Sequence, residues 1–225
     1  MAEPERGARR PDDEVPLPPH RLQVTLMTLA QGVVLHRVHL HRYRADQFNP
    51  GVSGNARFSP IQDEHGQPIP TLYGGTTMAC ALMETVGHDV PHTAGFKTFD
   101  KARLGGQMHS VLQIAQPLAL VDLASVPLRK LGVTRRQLID TEKDRYPATR
   151  QWAQAIHRQC PQAQGLCWIS RQDDTARAVV LFGDRIPAEA LRPGGGSRSL
   201  LDDGEACDAV LDLADRIGVH VVPGH

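Results

Sequence analysis

The chain has 225 residues, 40% of them hydrophobic and 22% charged, with Lys+Arg and Asp+Glu balanced at 25 each. That length buries a core without disulfide or metal staples, and a formal net charge of zero removes any chain-wide pull toward nucleic acid. No apolar run reaches the roughly 20 residues of a membrane helix. The four cysteines form no CxxC pair, which fits small core thiols in a reducing cytoplasm.

Residues 1–20 are rich in charge and proline with little to bury, so they read as a disordered extension. They carry no apolar signal core, which argues against secretion. Residues 21–225 then read as a single domain. Val33–Val38 is the first expected strand. A Gly/Pro/Asn-rich loop follows between Asp46 and Gly66, too long and polar for a simple connector.

Ile69–Gly74 is a short apolar strand stopping at Gly74-Gly75, after which Thr76 or Thr77 caps a helix. Met78, Ala81, Leu82 and Thr85 share one face of that helix, with Glu84 at its flank. Val111–Ile114 and Leu118–Val121 are strands separated at Pro117. Helices are expected over Thr134–Asp140 and Pro147–Gln159, the second with proline in its first turn. Strands follow at Gly165–Ser170 and Ala178–Phe182, then a flexible RPGGGS loop at 192–197. A helix over Glu205–Ile217 stops at Gly218, and VHVV closes the chain as a strand. Strands do not alternate strictly with helices, so the class is α+β.

Neither a GxxxxGK[ST] loop nor a GxGxxG turn is present, so a bound nucleotide needs arginines and loop amides. His36, His39 and His41 crowd the first strand, and His88 and His92 follow the first helix. One strand splits the first three between two faces, which argues against a metal centre. Cys80 with His88 makes a poor nucleophile pair, because Cys80 lies among Ala and Leu in a helix. Ser170 lacks a GxSxG context.

Arg37 and Glu84 are more informative. An arginine in an apolar strand is costly unless a carboxylate or phosphate meets it. Two readings stand: an internal Arg37–Glu84 salt bridge, or a site in which arginine forks grip a diphosphate. Arg57 is either solvent-exposed or part of that site, and Tyr73 is either a core aromatic or a wall of it.

The blocks VVLHRV, FNPG…GNARFSP, PTLYGGTTMACALMET and GLCWISRQ…AVVLFGDR, in that order, resemble the RES-domain family. The resemblance spans residues 33–186 and implies an ADP-ribosyltransferase-like split β core with flanking helices and NAD in its cleft. It implies NAD breakdown by phosphorolysis or hydrolysis, with protein-directed ADP-ribosylation as an alternative and a non-catalytic nucleotide-binding module as a second. NAD is then substrate rather than cofactor, with inorganic phosphate as co-substrate. An Xre-type antitoxin is the implied protein partner; a homodimer is left open, and nucleic acid and membrane are not expected partners. The name-giving residues fall on Arg37, Glu84 and Ser170, accompanied by Arg57 and Tyr73. On this resemblance Arg37 and Arg57 hold phosphate groups, Tyr73 stacks on nicotinamide, and Glu84 steadies the ribosyl cation. Ser170 contacts phosphate or ribose.

Overall fold

A computed structural model describes residues 14–88, 90 and 95–224. In chain order its strands are β1 (Leu26–Leu29), β2 (Val34–Leu40), β3 (Ile61–Gln62), β4 (Pro68–Ile69), β5 (Thr71–Gly75), β6 (Lys97–Asp100) and β7 (Gln107–Ile114). Then come β8 (Leu118–Asp122), β9 (Gly165–Ile169), β10 (Arg177–Phe182), β11 (Leu191–Pro193), β12 (Arg198–Ser199) and β13 (Val219–Val222). The helices are α1 (Met78–Met83), α2 (Ser125–Leu131), α3 (Arg135–Leu138), α4 (Tyr146–Gln159) and α5 (Gly204–Arg216).

The main sheet runs β1-β8-β9-β10-β5-β2-β7-β11, with β12 also on β7; only the β8/β9 pair is parallel. β7 and β8 are joined by only Ala115–Pro117, although four strands lie between them in the sheet. Such a link reaches about 15 Å, whereas four intervening strands in a flat sheet would hold the two about 24 Å apart. The sheet must therefore bend sharply. Leu35, Leu112, Ile114, Leu118, Leu120 and Val179 from strands across its width meet in one cluster on the inner face.

Alternation along β9 and β10 sends Leu166, Trp168, Ala178 and Val180 to the opposite face, where Leu138, Trp152 and Ile156 of α3 and α4 cover them. A third cluster joins Leu82 and Met83 of α1 to Val210 and Leu213 of α5 and to Phe99 and Val219 of the parallel β6/β13 pair.

The joint between β5 and β2 is the sheet's weak seam. β5 pairs with β10 along its whole length but with β2 only at Gly75–His36. The chain turns from β5 straight into α1, and a side chain on Gly75 would come within 2.8 Å of the Cys80 sulfur. Gly75 is thus what lets α1 drop into the seam.

Several expectations change. The segment Ile69–Gly74 is two strands split at Pro70, since proline has no N–H for a ladder. α1 ends at Met83, so Glu84 is its C-cap rather than a flank residue. The glycine run at 192–197 is strapped to β7 by β11, β12 and the Gly194 N–H to Val111 carbonyl bond. At the N-terminus, Val15 is buried and Trp152 Nε1 donates to the Pro16 carbonyl at 2.7 Å, so 14–19 pack on α4. Residues 1–13 lie outside the described residues. Among the described residues no helix is long and apolar enough to cross a membrane.

Candidate active site

The seam opens into a cleft of about 470 Å³, within the range of small-molecule sites. Arg37, Arg57, Tyr73 and Glu84 all line it; Ser170 does not.

Glu84 ends α1, its N–H bonded to the Cys80 carbonyl. A carboxylate suits the other end of a helix, so the position itself offers no stabilisation. Two neighbours hold it. Ser170 Oγ donates to Glu84 Oε1 at 2.7 Å, and Arg57 Nη1 faces Oε2 at 3.7 Å. Ser170 is fully buried, accepts from the Gln172 N–H, and has its carbonyl held by Arg135 Nη2. Ser170 thus bonds the Glu84 carboxylate from behind, outside the cleft lining.

The ion pair with Glu84 belongs to Arg57, and not to Arg37 as one reading had it. Arg57 is 4% exposed, which overturns the solvent-exposed reading. The Arg57 loop is pulled inward by Phe58, which is completely buried, and by Thr149, whose hydroxyl donates to the Arg57 carbonyl. The guanidinium lies over the Tyr146 ring, 5.5 Å from its centroid. Its Nε and Nη2 meet no acceptor among the described residues.

Arg37 projects from β2 and donates Nη1 to the Ala45 carbonyl at 2.7 Å. Burial lowers its pKa to about 10, with Asp46 pulling the other way, so it remains a cation at neutral pH. Tyr73 presents a half-buried ring to the cleft, while its hydroxyl accepts from the Phe58 N–H at 3.0 Å. Burial pushes that phenol up to about 12, so it stays protonated. The cleft thus combines two arginines, an aromatic face and one oriented carboxylate.

A family model described as RES domain matches residues 34–200. The chain belongs to the RES domain family. Comparison with curated proteins found no match. The RES match starts at β2 and ends just after β12, so it takes in every residue named above as lining or bracing the cleft.

Sequence reasoning passed over Tyr146, Lys143, Asn55 and Trp168, which also line this RES cleft, and weighed His36, His39 and His88 of its lining only for a metal centre or a nucleophile pair. Tyr146 accepts or donates at His88 Nε2 at 2.7 Å while its ring supports Arg57. Its only signal was its place before Pro147 at a helix start. The histidines have other partners: His36 Nδ1 lies 2.9 Å from His109 Nε2, and His39 bonds Ser110 Oγ and the Leu40 carbonyl. His92 lies outside the described residues. Burial, with the Glu84 charge adding to it, pushes the Cys80 thiol up to about 12, far from a reactive thiolate.

Proposed function

We propose that this protein cleaves the nicotinamide–ribose bond of NAD and passes the ADP-ribosyl group to inorganic phosphate, as the toxin of a toxin–antitoxin pair with an Xre-type partner. One observation carries the reading: a buried arginine with two donors unpaired among the described residues stands beside an oriented carboxylate in a ligand-sized cleft. Leaving buried guanidinium donors unmet costs about 1–3 kcal/mol each, so Arg57 is poorly explained as a fold-stabilising residue. A diphosphate or phosphate oxygen meets the need through charge-assisted bonds. The single-pair seam between β5 and β2 supports reading the fold as an ADP-ribosyltransferase-like split core.

The roles follow from the chemistry. Arg57 and Arg37 hold the diphosphate and the incoming phosphate. Tyr73 lies along nicotinamide. Glu84 accepts from a ribose hydroxyl and stabilises the positive charge that grows as the C–N bond lengthens. The bonding electrons leave with the nicotinamide nitrogen, which becomes neutral. A phosphate oxygen then bonds to the anomeric carbon, giving ADP-ribose-1″-phosphate. Ser170 keeps Glu84 aimed throughout.

The test is product analysis after incubation with NAD, with and without phosphate. Nicotinamide and ADP-ribose-1″-phosphate, formed faster with phosphate, are the expected products. Free ADP-ribose would make water the acceptor, and label retained on protein would make the enzyme a protein ADP-ribosyltransferase. Intact NAD after hours with folded protein overturns the proposal.

A further inference from the structure

The chain holds two tryptophans, and both are buried: Trp152 is 0% exposed and Trp168 1%. Buried indole N–H groups normally find an acceptor. Trp152 does, at the Pro16 carbonyl. Trp168 does not: its Nε1 has no partner among the described residues, and its ring lines the cleft. Thr141 Oγ1 and Gln172 Nε2 are unpaired too, but neither residue lines the cleft.

The surroundings of Trp168 narrow the ligand. It stands on β9 opposite Ala178, edge-on to Tyr73 at 6.4 Å between centroids and to Phe58 at 5.2 Å. Gly74, Ala81 and Ala178, all small, line the same cleft. With Tyr73 they make the apolar side of the cleft, the slot in which a flat base would sit. An indole N–H is uncharged and donates only, so it suits a neutral carbonyl oxygen better than a phosphate, which the arginines serve. Glu84 as a carboxylate only accepts, and so takes ribose hydroxyls. The Tyr73 hydroxyl accepts from the Phe58 N–H and is also hydrogen-bonded to the Ser59 side chain.

We propose that Trp168 Nε1–H is a specificity-determining donor that bonds the carboxamide oxygen of the base held in this slot. This rests on reading the cleft as an NAD site. The experiment measures kcat/KM for NAD and for the analogue carrying unsubstituted pyridine in place of nicotinamide, in the wild type and in Trp168→Phe. The loss of one hydrogen bond predicts about a tenfold fall with NAD and no fall with the pyridine analogue. Trp152→Phe, as a control, lowers the melting temperature without changing the ratio between the two substrates. If Trp168→Phe does not fold, a benzothienylalanine at position 168 removes the N–H at nearly constant shape and carries the same comparison. Equal losses with both substrates, or none with either, overturn the assignment of Trp168 alone. A wild-type protein that leaves both dinucleotides intact overturns the NAD reading, and this inference with it.

Discussion

Two arginines at opposite ends of α4 do opposite things. At its C-terminal end, Arg185 donates Nη1 to the carbonyls of Cys160 and Ala163, both at 2.8 Å, and Nη2 to that of His157. The His157 carbonyl belongs to the last turn of α4 and the other two lie at and just past its end, so the fold itself supplies acceptors to both terminal nitrogens. At the N-terminal end, Arg57 rests on Tyr146 with one nitrogen 3.7 Å from Glu84 and two with no acceptor among the described residues. A charge kept for stability meets acceptors from the fold at both terminal nitrogens. A charge kept for a ligand is held in place and left incomplete.

The sharpest way to break this contrast is at Glu84. Glu84→Gln keeps the Ser170 contact but removes the charge, and should slow NAD cleavage on the order of 10²–10³-fold. Initial rates at saturating NAD, beside a circular-dichroism spectrum showing a folded protein, check this. Arg185→Met is the counterpart. It should leave the specific activity unchanged while costing about 2 kcal/mol, or roughly 4–8 °C in melting temperature for a chain of this size.

Smaller effects sharpen the comparison further. Removing residues 1–20 takes away the Val15 packing and the Pro16 carbonyl on Trp152, which should cost about 1.5 kcal/mol in a urea melt. A further effect is with pH. Burial, then His36, pushes His109 down to about 4 from its usual 6.5. The native protein thus binds fewer protons than the unfolded chain across that window. Its stabilisation is complete above about pH 6.5 and is lost as pH falls through about 4. The melting temperature should drop between pH 7 and pH 5, and less steeply in His109→Gln.

Much of the fold was legible because its signals are local. Val34–Leu40, Gly165–Ile169 and Arg177–Phe182 announce themselves by β-branched and apolar runs, and α4 by Pro147 in its first turn. Thr134 and Gln137 form the capping box behind the helix expected there. β1 and β6 were missed because each is four residues long and is defined by partners far away in sequence. The site was half legible for the same reason. Residue types marked Arg37, Tyr73 and Glu84, but the Glu84–Ser170 bond spans 86 residues and the Thr149–Arg57 bond 92. No local pattern says that Ser170 stands behind the carboxylate, or that the Gly-rich loop folds inward on Phe58.

The most direct measurement uses one doubly substituted protein, Arg57→Met with Glu84→Gln, followed by thermal melting and by nicotinamide release from NAD. Removing both charges leaves no uncompensated ion, so the melting temperature should match or exceed that of the wild type. Nicotinamide release should fall at least a hundredfold. A variant that melts well below the wild type while still releasing nicotinamide at its rate would show that the pair serves the fold and not a ligand.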